Sequence, residues 1–103
     1  MSPAHALVPL LLFSAACGPR YRGPVETRAS FERIQVAEAQ VVLGTRAATD
    51  AEADEATRRA GRAQVCAAAE ALCVEADRLE DPDARRRCER ATERCEALEE
   101  PPK

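Results

Sequence analysis

Two cysteine pairs with the same spacing constrain this 103-residue chain more than any other feature. Cys66 and Cys73 are separated by six residues, and Cys88 and Cys95 repeat that gap. Residues seven apart lie two turns apart on one face of an α-helix, so their sulfurs are about 10 Å apart by the helical rise. Each pair therefore predicts a helix that carries two sulfurs along one line.

A helix break at Asp81-Pro82 lies midway between the two cysteine pairs. Proline is excluded from helix interiors but suits the first helical position, and aspartate is a favourable N-cap. If the chain folds back at this point, Cys73 faces Cys88 and Cys66 faces Cys95 in one antiparallel register. We predict these two disulfides, because a bond within one helix would bridge two turns and crossed pairing would strain the register.

The composition predicts an all-α fold. Alanine contributes 22 residues, arginine and glutamate are also abundant, and aromatic residues are only 3% of the chain. Alanine, arginine and glutamate all favour helices, and so short a chain buries too little apolar surface to be stable without help. We expect a two- to three-helix bundle in which an amphipathic helix precedes a disulfide-stapled antiparallel hairpin.

The first predicted helix covers residues 26–43. Phe31, Ile34 and Val41 recur at helical spacing and form one apolar stripe. Gly44 follows the last apolar residue, where a helix C-cap is expected.

The second and third predicted helices cover residues 50–79 and 82–99. Thr49 and Glu52 have the spacing of a capping box at the start of the second helix. Gly61 either weakens this helix or allows another helix to approach closely. We expect the first helix to pack on three alanines near the start of the second: Ala56, Ala60 and Ala63.

The N-terminal region has the features of an export signal. An apolar run of eleven residues covers residues 6–16, which is too short to span a bilayer but suits a secretory signal peptide. The run ends in Ser14-Ala15-Ala16-Cys17, which resembles the lipobox of bacterial lipoproteins, although Ser14 stands where that family usually has leucine. The resemblance implies that residues 1–16 are removed and that Cys17 is lipidated as the mature N-terminus.

The same resemblance suggests a location. Gly18 after the lipidated cysteine implies the periplasmic face of the outer membrane, with residues 17–25 as a flexible tether, 26–99 as the helical domain and 100–103 as a tail. The alternatives are cleavage after Ala16 by ordinary signal peptidase, giving a soluble periplasmic or secreted protein, and an N-terminus that is merely apolar. Pairing of the other four cysteines would leave Cys17 over, which favours lipidation.

The sequence argues against several classes of function. The net charge of −3 and the mixing of acidic and basic residues argue against the basic patch that a nucleic-acid-binding protein needs. After Cys17 the chain contains no histidine and a single serine, Ser30, so no Ser-His or Cys-His catalytic pair forms. We therefore expect no enzymatic activity and no cofactor.

Two hypotheses for the function remain. The first is a non-catalytic structural or protein-interaction module of the bacterial envelope, bound to the membrane through its lipid and to an unknown protein partner. The second is a thiol-based metal carrier that uses the four distal cysteines. A tetrahedral site requires converging sulfurs, and sulfurs two turns apart on a helix do not converge, so the sequence favours the first.

Overall fold

The computed structural model describes residues 25–100, which form three α-helices. We number them α1 (Val25–Ala48), α2 (Glu55–Leu79) and α3 (Pro82–Glu99). No strand occurs within this range, and the expected all-α class is confirmed. The expected signal peptide, the cysteine expected to be lipidated (Cys17) and most of the expected tether and tail lie outside the described residues.

Helix α2 lies between the other two helices. It forms one antiparallel hairpin with α1 and a second with α3, whereas α1 and α3 have few contacts with each other. The expected hairpin of α2 and α3 therefore exists, but α1 packs along much of α2 and makes a hairpin of its own with it.

The core is narrow and consists mainly of small side chains. Leu72 and Ile34 are completely buried between α2 and α1, and Phe31 and Val41 pack at the edge of the same cluster. The other members of the core cluster are all alanines: Ala37, Ala68, Ala69, Ala76, Ala84 and Ala91. Because alanine has the shortest apolar side chain, the helix backbones lie close together.

Helix α1 continues past the glycine that was expected to end it. Gly44 is buried inside the helix, and α1 extends to Ala48. Thr45 donates its hydroxyl hydrogen to the carbonyl oxygen of Val41 at 2.7 Å within the helix. The prediction of a C-cap at Gly44 is therefore wrong, because this glycine serves helix packing and not helix termination.

The two glycines of the described chain mark the closest contact of α1 and α2. A Cβ atom on Gly61 would lie 2.6 Å from the carbonyl oxygen of Gly44 and 2.6 Å from the amide nitrogen of Ala48. A Cβ atom on Gly44 would lie 2.8 Å from the carbonyl oxygen of Gly61. Only glycine fits on either side, so Gly61 allows the close helix approach that was one of its two expected roles.

The start of α2 also differs from the expectation. Asp54 is the N-cap, and its carboxylate accepts a hydrogen bond from the amide of Thr57 at 2.8 Å. Thr49 instead donates its hydroxyl hydrogen to the carbonyl oxygen of Thr45, and the amide of Glu52 donates to the Asp50 carboxylate. No capping box forms, because the extra turn of α1 moves the start of α2 to residue 55.

The expected packing partners of α1 are wrong. The three alanines near the start of α2, namely Ala56, Ala60 and Ala63, are all exposed. Helix α1 instead places Ile34 and Ala37 against the later part of α2, where Ala68 and Leu72 are buried. Because a short connection joins the two helices, they pair antiparallel and the middle of α1 lies beside the later part of α2. Sequence periodicity alone did not reveal this register.

Replacing Gly61 with alanine tests the close contact. In an open helix this substitution stabilises by about 1 kcal/mol, because alanine has the higher helix propensity. Here we expect a loss of about 1–3 kcal/mol, because the new Cβ meets backbone atoms that cannot rotate away. Urea unfolding of the wild-type and Gly61→Ala proteins measures the difference.

The control is Ala60→Leu, which adds a larger side chain on the exposed face one residue away. Its free energy of unfolding should stay within about 0.5 kcal/mol of wild type. A Gly61→Ala protein more stable than wild type would contradict the packing seen at this crossing.

Candidate functional site

Two disulfides join α2 to α3. Cys66 bonds to Cys95 and Cys73 bonds to Cys88, and the Cα atoms of each pair are 4.8 Å apart. This distance lies in the usual range for disulfides. Both predicted pairings are confirmed, and all four cysteines are half-buried.

A short turn sets the register of the stapled hairpin. Glu80 ends α2 in the left-handed region at φ 54°, and its amide donates to the carbonyl oxygen of Ala76 at 3.0 Å. Asp81 then caps α3 by accepting from the amide of Ala84 at 2.9 Å, with Pro82 at the start of the helix. Two residues thus reverse the chain, which brings the cysteines into opposition.

Buried alanines surround the two disulfides at the α2–α3 interface. Ala69 and Ala76 of α2, and Ala84 and Ala91 of α3, are buried. Each alanine follows or precedes a cysteine at helical spacing, so small side chains occupy the same interface as the sulfurs. The close approach that a disulfide requires is therefore built into both helices.

A partly buried ion pair joins α1 to α2. Arg33 donates to both carboxylate oxygens of Glu75, at 2.6 and 3.3 Å, and to the hydroxyl of Ser30 at 3.3 Å. Ser30 and Glu75 are 1% and 7% exposed. Sequence reasoning missed this pair, although the polar Ser30 on the apolar face of α1 was a signal that a polar partner lay opposite.

The environment of Glu75 lowers its pKa. The hydrogen bonds from Arg33 have the largest effect, and those from Ser30 and the charge of Arg78 act in the same direction. Burial raises the pKa but is outweighed. Glu75 is therefore a structural carboxylate held in its charged form.

A second charge contact links α1 to α3. Arg87 of α3 donates to Glu38 of α1 at 2.7 Å and to Asp83 on its own helix at 2.8 Å. Hydrogen bonding to Asp83 and then to Glu38 raises the pKa of Arg87 above its ordinary value. This contact lies across the space between α1 and α3, where few other contacts occur.

A groove runs between α1 and α3 beside this contact. Its volume is about 240 Å³, and its lining combines apolar and charged side chains: Glu38, Val41, Val42, Leu72, Arg87, Arg90, Ala91 and Arg94. We call it the arginine groove, because three arginines line its α3 side. Within residues 26–100, the other exposed large apolar side chains are Val36 and Leu43 on α1 and Val74 on α2.

The cysteines offer one cluster that resembles a metal site. The sulfurs of Cys66 and Cys95 and a carboxylate oxygen of Glu99 lie within 4.8 Å of one another. The Glu99 oxygen is 3.3 Å from the Cys66 sulfur. Both sulfurs belong to the disulfide, and it is the thiolate that binds metals, so this cluster is a potential site only after reduction.

The other candidate residues are placed as follows. Cys17 lies outside the described residues, so its lipidation stays a prediction. Ser30 is buried and hydrogen-bonded to Arg33, which leaves no room for a substrate. Between residues 25 and 100, no helix has the length and apolar character needed to cross a bilayer.

The lowered pKa of Glu75 predicts how the stability depends on pH. Its stabilising contribution is complete above the ordinary glutamate pKa of about 4.3 and disappears as pH falls through the lowered pKa. We expect Glu75→Gln to lower Tm at pH 7, with a deficit that shrinks below about pH 4. Thermal denaturation across this pH range measures the deficit.

The matched control is Glu70→Gln, at an exposed position on α2. Titration of other carboxylates, including Asp54 and Glu55, cancels in the difference between wild type and variant. A Glu75→Gln deficit that stays constant down to pH 2 would contradict a role for the charged carboxylate.

Reduction of the disulfides should release α3 before the other helices. Of the large side chains in the core, Ile34 and Leu72 lie in the α1–α2 hairpin, whereas α3 buries only Ala84 and Ala91. Closing a loop of about 15 residues stabilises by about 3 kcal/mol, which is about a hundredfold in an equilibrium. With reductant, we expect amide exchange in residues 82–99 to accelerate by about this factor, while residues 65–76 keep most of their protection.

A variant with serine at all four distal cysteine positions should reproduce this pattern without reductant. Equal acceleration in all three helices would show instead that the structure opens as one unit.

Comparison with known proteins gives no further assignment of the site. No protein-family model matches the sequence, and neither the curated proteins nor the solved structures compared with it give a match.

Proposed function

We propose that this protein is a small non-catalytic module of the bacterial envelope that presents a rigid helical surface to another protein. The signal-like N-terminus supports export, and the resemblance of Ser14-Ala15-Ala16-Cys17 to a lipobox supports a lipid anchor at Cys17 on the periplasmic face of the outer membrane. The observation that carries the proposal is the pair of disulfides that fixes α3 on α2.

The disulfides support an oxidising compartment. Cytosolic thiols are kept reduced, whereas exported proteins of this size commonly depend on disulfides for stability. Here two disulfides hold α3, whose only buried residues are Ala84 and Ala91. Such an arrangement is useful where α3 must keep a fixed position for binding and cannot rely on a large core.

The surface supports interaction with a protein. Val36 and Leu43 are more than half exposed on one face of α1, and Val42 is half exposed at the arginine groove. Apolar side chains of this size cost free energy when they remain in water, and burying them against a partner recovers it. Together with the rigid hairpin, they favour an interaction role over a catalytic one.

A thiol-based metal carrier is the competing hypothesis. The grouping of Cys66, Cys95 and Glu99 favours it, since these residues would supply two thiolates and a carboxylate after reduction. The other two cysteines lie two turns away and do not join the cluster. The carrier hypothesis requires free thiols in the isolated protein, and the module hypothesis requires both disulfides.

A complex extracted from the native membrane tests the proposal. After solubilisation in mild detergent without reductant, we expect the full chain to migrate on a native gel in a complex larger than the monomer. Serine at all four distal cysteine positions should reduce the amount of this complex at least tenfold, because α3 loses its fixed position. Intact mass measurement checks the oxidation state of the cysteines.

The Cys17→Ser variant tests the anchor in the same preparation, and we expect it in the soluble fraction with both disulfides intact. A wild-type protein that is only monomeric after extraction, or one isolated with four free thiols and bound metal, would contradict the proposed function.

A further inference from the structure

The arginine groove has the size of an anchor pocket for a single side chain. Its volume of about 240 Å³ is below the range of about 300–1,000 Å³ that small-molecule sites occupy. Completely buried Leu72 forms the floor, and Val41 and Val42 form the α1 wall. One large apolar side chain of a partner fits such a space, and side chains of this kind supply much of the binding free energy at interfaces.

The α3 wall of the groove carries charge that residues 25–100 do not neutralise. Arg87 is paired with Glu38 and Asp83. Arg90 and Arg94 line the same wall, and no carboxylate of residues 25–100 forms an ion pair with either. Both side chains are exposed at the rim.

The spacing of these two arginines matches a helical ligand. Residues four apart lie one turn apart on a helix, with Cβ atoms about 5–6 Å from each other. Two carboxylates one turn apart on a partner helix have the same separation. A helix with an apolar residue between such carboxylates would place its apolar side chain over Leu72 and its charges against Arg90 and Arg94.

We infer that the arginine groove binds an acidic amphipathic helix of a different protein, which inserts one large apolar side chain over Leu72 and pairs two carboxylates with Arg90 and Arg94. This inference rests on the proposed function and names the surface and the class of partner. The added helix would lie against both α1 and α3 and would complete a four-helix bundle.

The exposed apolar face of α1 in a second copy of this chain is a poorer ligand. The exposed apolar face of α1 carries Val36 and Leu43, and its flanking charges are Glu32 and Arg46. One acid and one base do not match two arginines.

Site-specific photo-crosslinking in the native membrane tests the inference. Benzoylphenylalanine replaces Val42 in the groove, exposed Val36 outside the groove on α1, or exposed Ala63 on α2, each in the full chain. We expect a protein adduct from position 42 that is at least tenfold stronger than from position 63. Mass spectrometry of that adduct should identify a partner segment with two acidic residues one helical turn apart beside a large apolar residue.

Charge reversal provides the second measurement. Arg90→Glu/Arg94→Glu should weaken the adduct at position 42 at least tenfold, because carboxylates would then face carboxylates. The matched control is Arg28→Glu/Arg59→Glu, which changes the net charge equally at two exposed arginines that form no ion pair in the described chain. Circular dichroism and intact disulfides confirm that both variants fold.

The outcomes separate the inference from the proposed function. An adduct at position 36 without one at position 42 would contradict binding at the arginine groove but would agree with the proposed role as an interaction module. No protein adduct at either position overturns both. The inference is also overturned if the adduct at position 42 contains lipid, a second copy of this chain or a partner segment without acidic residues. It is overturned as well if that adduct survives charge reversal.

Discussion

Close approach of helix backbones is the constraint on which the whole fold depends. On one side of α2, Gly44 and Gly61 let α1 approach until their backbone atoms leave no space for a Cβ. On the other side, the Cα atoms of the bonded cysteines are only 4.8 Å apart. A disulfide requires Cα atoms about 4.4–6.8 Å apart, and bulky side chains beside the cysteines would hold the two helices further apart than that. Small residues on both faces of α2 are therefore a precondition for the disulfides as well as for the α1 crossing.

Short interface side chains carry a cost, because they bury little apolar surface and stabilise little. The chain offsets it differently on the two sides of α2. The α1 side has Ile34, Leu72 and the ion pair of Arg33 with Glu75, all of which act without a covalent bond. The α3 side has the disulfides, which act mainly by restricting the unfolded chain. The two hairpins thus differ in how their stability responds to pH and to reductant.

The sequence predicted the α2–α3 hairpin closely because its signals are local and independent. The Asp81-Pro82 break and the two cysteine spacings agree on one register, and neither depends on the rest of the chain. The α1–α2 hairpin was harder, because the meaning of Gly44 depends on what lies opposite: beside solvent it would end a helix, but beside Gly61 it is a packing position. Likewise, Ser30 and Glu75 are recognisable as partners only once the antiparallel register is known. The arginine groove was beyond prediction, since its walls come from helices that do not pair with each other.

The small-residue core also determines how the sequence of this fold is free to change. Large core side chains usually leave a distinctive hydrophobic signature, but here most buried apolar residues of the described chain are alanines. Substitutions at exposed positions usually change stability little. Two proteins with this architecture need share little overall identity. They must share the Cys-x6-Cys spacing in both helices, a helix break midway between the pairs, and glycines at the α1–α2 crossing. A search pattern built from these few positions describes the fold more sensitively than an alignment of the whole chain.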